Sequence, residues 1–148
     1  MRRPIHSIAL VLLAFQSGMA ATLTPPKAVQ QRLATVLNAH LQVKHEGESA
    51  ATRDALESAL SPILVDRSAT GDETLAVLLG FYIGEHPSED ISCELVSRGR
   101  PVLKYLKKYE SAQVVVPGVS PEALEPIKTE YPIVIGRIQA GERCAREP

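Results

Sequence analysis

Residues 73–84 read ETLAVLLGFYIG, and this run decides the fold. Leu, Ala, Val, Phe, Tyr and Ile fill nearly every position, which leaves no polar stripe for water. A helix that is apolar all round belongs in the middle of a protein, covered by neighbours on several sides. The run is too short to cross a bilayer, which takes about 20 residues. A buried strand competes for the same residues, but Leu and Ala dominate and β-branched residues are few. The run therefore predicts a central helix over Glu73–Gly84.

Upstream, Val29, Leu33, Val36, Leu37 and Leu41 recur at three- and four-residue steps between Lys27 and Val43. This spacing predicts an amphipathic helix with Gln30, Gln31, Arg32 and Asn38 towards water. Thr24 is its candidate cap and Pro25 its candidate first residue. A second helix is expected from Ala50 to Leu60, with Ala55, Leu56, Ala59 and Leu60 buried. Ser61-Pro62 punctuates it, and Ile63-Leu64-Val65 comes next as a kinked continuation or a short new turn. Arg67–Gly71 reads as a loop, with Thr70 or Asp72 to cap the central helix.

Downstream, Pro87 is expected to break the chain and Ser88 to cap a helix reaching Arg98, with Glu89 and Asp90 in its favourable first turn. Gly99 ends that helix and Pro101 starts another, with Leu103, Leu106 and Tyr109 as inward candidates. Val114-Val115-Val116 is the most strand-like stretch, cut short by Pro117-Gly118. Pro121, Pro126 and Pro132 confine the next segment to short pieces before a last helix over Ile133–Ala140, closed by Gly141. The expected fold is all-α, a small single-domain bundle of about five to six short helices. Stacking of antiparallel helix pairs, as in an α-solenoid fragment, is a variant of the same class.

The two ends of the chain bear on compartment. Arg2 and Arg3 precede the apolar run Ile8–Phe15 (IALVLLAF), and Gly18 and Ala20 are small residues placed as at a signal-peptidase site. Residues 1–20 thus read as a signal peptide, cleaved after Ala20, with residues 21–148 as one helical domain. Export to the periplasm, or secretion, is the expectation. Cys93 and Cys144 then lie in an oxidising compartment, where an even count makes a disulfide the default. A redox pair usually places its cysteines close in sequence, and these are not.

With the leader removed, 14 Lys plus Arg face all 17 Asp plus Glu, a net charge of about −3. Such a balance makes no electrostatic case for nucleic acid. The same 128 residues hold no Trp and a single Phe, Phe81, so Leu, Val, Ile and Ala must build the core.

Few residues are arranged for chemistry. Glu85, His86, Glu89 and Asp90 form the densest titratable cluster, but a break at Pro87 would separate His86 from the acids, whose placement suits a helix start. His40 and His45 flank the end of the first helix, where histidine meets the helix dipole favourably. The chain contains no HExxH, no CxxC, no phosphate-binding glycine loop and no nucleophile elbow. No catalytic residue, metal or cofactor is expected.

The remaining feature is a basic run. Arg98, Arg100, Lys104, Lys107 and Lys108 place five cations in eleven residues, four of them sharing a helix side. Tyr105 and Tyr109 add aromatic contact residues of the kind enriched in interfaces. Such a face suits an acidic protein or an anionic lipid surface, although a solvated face offset by neighbouring acids would look the same. The expected function is an exported non-catalytic binding protein of the cell envelope, an inhibitor or immunity-type protein acting by protein–protein contact. The alternatives are an envelope assembly factor contacting anionic lipid or a secretion apparatus, and a small hydrolase centred on Glu85, His86 and Asp90.

Overall fold

Proline and glycine set most of the helix boundaries, though not always where expected. The computed structural model describes residues 21–120 and 124–144. The proposed leader, residues 1–20, and Pro121 lie outside them. Helix α1, Lys27–Glu46, starts after Pro25-Pro26, with Pro26 rather than Thr24 at the cap position. It buries Val29, Leu33, Val36, Leu37 and His40 and stops at Gly47, whose φ is +85°.

Helix α2, Ala50–Val65, is started by Ser49, whose hydroxyl accepts from the Thr52 N–H at 3.2 Å while Thr52 Oγ1 accepts from the Ser49 N–H at 2.9 Å. This reciprocal cap satisfies two amides that the first turn leaves without partners. Pro62 does not end the helix, which continues to Val65. The buried stripe is Thr52, Leu56, Leu60 and Ile63, so Ala55, expected inside, is exposed.

The central helix exists but is shorter than the apolar run. Helix α3, Ala69–Leu78, is capped by Ser68, not by Thr70 or Asp72, and every residue from Gly71 to Gly80 is buried. It touches α1 and α2, and Tyr131 donates to its Ala76 carbonyl at 2.8 Å. At Leu79-Gly80 the chain turns tightly and leaves the helix. Phe81 then forms an antiparallel bridge with Pro126, flanked by Tyr82 N–H to Glu125 O at 3.1 Å and Ile127 N–H to Gly80 O at 2.7 Å.

A Cβ at Gly80 would sit 2.7 Å from the Tyr131 hydroxyl, which the Ala76 bond already holds. Gly80→Ala is therefore expected to lower stability by about 1–3 kcal/mol, the usual cost of overpacking a fixed core. An unchanged denaturant midpoint would show that Tyr131 yields freely.

Helix α4, Glu85–Arg98, begins at Gly84 with φ +113° and carries Pro87 inside its first turn. The missing N–H of proline costs nothing there, because first-turn amides lack helical partners. Gly99, φ +73°, ends α4 as expected. A 3₁₀ turn over Arg100–Val102 leads into α5, Leu103–Tyr109, which buries Leu106 and Tyr109.

Two short strands, β1 (Thr22–Leu23) and β2 (Gln113–Val114), pair in parallel with Thr22 opposite Gln113. Only Val114 of the expected valine strand is used. The last helix, α6, spans Glu130–Gln139 and starts before Pro132, again a proline in a first turn. Cys93 of α4 and Cys144 are joined in a disulfide with their Cα atoms 5.3 Å apart. The all-α, single-disulfide class is thus as expected. Among the described residues no helix is long and apolar enough to cross a membrane.

Candidate functional site

The structure divides the expected basic face in two. Arg98 belongs to the interior, with a side chain only 3% exposed. Its guanidinium donates to Asp72 at 2.8 Å and Glu94 at 3.1 Å. It also donates to the carbonyls of Asp66 at 2.6 Å, Leu64 at 2.8 Å and Ile63 at 3.3 Å. Those carbonyls end α2, where no further helical turn supplies donors. Arg98 therefore caps one helix while neutralising acids of two others. Asp66 in turn pairs with Arg32, and hydrogen bonds from Ser68, then from Arg32, hold its carboxyl down at about 2.

Tyr109 is also inside. It is fully buried, and its hydroxyl donates to Glu73 at 2.5 Å, with Lys108 reaching the same oxygen at 3.0 Å. Burial, then the Glu73 carboxylate, pushes the phenol well above its ordinary range. Outside remain Arg100, Lys104 and Lys107, with Tyr105 half-buried under the Lys104 ammonium at 5.0 Å. Those three cations form no ion pair among the described residues. Lys108, although partly exposed, is tied to Glu73.

A large concave surface among the described residues lies elsewhere, over the disulfide. It is an open cleft of about 820 Å³ between the first turns of α4 and the start of α6. Glu85, Glu89 and Asp90 line one wall and Glu130 the other, with Tyr82, Ile127, Leu64 and Cys144 between them. Tyr82 is 43% exposed, an unusual position for a residue inside an apolar run. The cationic residue lining the cleft is Arg137, already paired with Glu142 at 2.9 Å. Among the described residues the cleft is thus lined by more carboxylates than cations, together with aromatic and aliphatic side chains.

The early start of α4 corrects the reading of its titratable cluster. Pro87 does not separate His86 from the acids, since all four residues share the helix. Glu85 and Glu89 stand one turn apart in the cleft, whereas His86 lines a smaller hollow with Leu56, Leu60 and Leu64. Among the described residues no three His, Cys, Asp or Glu side chains are placed to hold a metal ion. Ser88 and Ser92 line the cleft, and among the described residues no histidine lines it with them. His40 and His45 also diverge, the first buried in the core and the second exposed.

Sequence reasoning passed over Tyr82 and Glu130. The signal near Tyr82 is Gly80, a helix-weakening residue after which the structure runs Phe81 in, Tyr82 out and Ile83 in, as an extended chain does. Glu130 carried no comparable mark. No protein-family model, curated protein or solved structure matches the chain.

Proposed function

We propose that this chain is an exported, non-catalytic binding protein of the cell envelope, of the inhibitor or immunity type, whose acidic cleft takes a basic segment of a protein partner. The observation that carries this reading is the cleft itself: four carboxylates and an exposed tyrosine, with the Cys93–Cys144 disulfide in its lining. Tyrosine is among the side chains that most often anchor interfaces, because it buries a large area while fixing few torsions. Rim carboxylates add steering and selectivity more than affinity, which fits a partner of opposite charge. Walls that are already ordered lose little freedom on association. The leader-like first twenty residues and the cysteine pair support residence in the periplasm.

The test is capture of a partner from envelope extract, followed by titration of the purified pair. Glu85→Lys combined with Glu89→Lys should weaken binding at least tenfold. Lys104→Glu combined with Lys107→Glu should leave it within a factor of two. Binding indifferent to the acidic wall would overturn the reading.

A second reading rests on Arg100, Lys104 and Lys107, which present a basic surface without ion pairs among the described residues. Near an anionic bilayer each cation contributes about 1 kcal/mol, so three give weak and salt-sensitive attachment. Sedimentation with phosphatidylglycerol vesicles at low salt, lost in the Lys104→Glu, Lys107→Glu variant, would favour this envelope-assembly alternative.

A further inference from the structure

Among the described residues, His40 is the one histidine the core encloses. It is 7% exposed, and its Nε2 is buried without a hydrogen-bond partner. The charges that act on the ring are Lys44, one turn along α1, and Glu125, from the facing segment. Those two groups also face each other, with Lys44 Nζ 3.7 Å from the Glu125 carboxylate.

The position of Glu125 connects this histidine to the cleft. Its carbonyl accepts the Tyr82 N–H at 3.1 Å, and two residues on the Ile127 N–H donates to Gly80 at 2.7 Å. The short antiparallel pairing of 80–82 with 125–127 thus carries two cleft-lining side chains, Tyr82 and Ile127, on one edge of the His40 surroundings. The Lys44–Glu125 ion pair and this backbone pairing together link α1 to two residues that line the cleft.

We propose that His40 is a proton-sensitive latch which, when charged, loosens the Leu124–Pro126 segment from α1 and displaces Tyr82 and Ile127 in the cleft. A charged imidazolium needs an acceptor or water at each ring nitrogen, and the buried Nε2 has no acceptor among the described residues. Its remaining route is to leave the seat or to compete with Lys44 for Glu125, and either move pulls on the segment paired to Tyr82. Burial, then Lys44, holds the ring below its ordinary value of 6.5, while Glu125 opposes them.

Linkage sets the sign. The folded state resists protonation that the unfolded chain accepts, so this contribution to stability is present above about pH 6.5 and is lost as pH falls through the lowered value. The latch acts on function only if the cleft is the binding surface, as proposed above, but its first measurement needs no partner.

Amide resonances of Tyr82 and Ile127 would be followed by ¹H–¹⁵N NMR from pH 7.5 to pH 5 in a His86→Gln background, since His86 lies four residues from Tyr82. Both amides should move together with the His40 ring resonance, with a midpoint below 6.5. In His40→Gln they should stay still, and the fall in melting temperature between pH 7.5 and pH 5.5 should shrink. A His40 midpoint at or above 6.5, or a ring that titrates without moving Tyr82 and Ile127, overturns the latch. If the amides respond as described while the acidic-wall variants leave partner binding intact, the latch stands and the cleft reading fails.

Discussion

Replacing Arg98 with alanine is expected to cost the fold about 3–5 kcal/mol, the range for removing one member of a buried charged cluster. The arginine meets Asp72, Glu94 and three carbonyls at the end of α2. Its loss strands the Asp72 carboxylate, 9% exposed, and takes one partner from Glu94, 5% exposed, which keeps Arg67 at 3.6 Å. It also removes the Arg98 donors from the Leu64 and Asp66 carbonyls at the end of α2, while the Ile63 carbonyl keeps the Asp66 N–H at 3.2 Å. Guanidinium-chloride unfolding would read this directly as a lowered midpoint at unchanged slope. Arg98→Lys should recover only a minor part, because an ammonium on a flexible stem cannot address five acceptors in a planar fork. A variant within about 1 kcal/mol of the parent would show that the cluster contributes geometry and little energy.

Reducing the disulfide is the second large effect. Cys93 and Cys144 close a loop of 51 positions, for which the chain-entropy account gives about 4 kcal/mol. Excess dithiothreitol should lower the melting temperature of the parent, and Cys93→Ser should show the lower value in both conditions. Equal melting temperatures with and without reductant would remove the disulfide from the stabilising interactions of the fold.

The fold class was legible because its strongest signals are physical constraints. The uniformly apolar Leu75–Leu79 segment has to be enclosed, and the three- and four-residue spacing of α1 has to present one face to it. Boundaries were less legible where proline and glycine have several uses. Pro62, Pro87 and Pro132 all look like stops, yet the last two lie in first turns, where their geometry is welcome. The apolar run concealed the end of α3, since a buried bridge and a buried helix demand the same residue types.

The site was harder for a different reason. A charge run announces cations without saying which have partners. Arg98 and Arg100 look equivalent in sequence, but Gly99 separates them, and the acceptors of Arg98 outside its own helix lie 26 to 35 residues upstream along the chain. Glu73 similarly draws Lys108 and Tyr109 inward from 35 and 36 positions away. The acids of the cleft come from segments some forty positions apart, Glu85–Asp90 and Glu130, brought together by packing of α4 against α6.

The pairing of β1 with β2 has a consequence for the order of assembly. Thr22 must wait for Gln113, 91 positions later, before its ladder can form. Contacts of such separation carry a large loop-closure cost and form after local helix pairs have reduced the search. A chain that emerges amino-terminus first therefore holds its earliest strand unmatched until most of the helices have been made. The β1–β2 ladder is accordingly a late event in folding, and its closure ties the start of the helical body to a segment made after five of its helices.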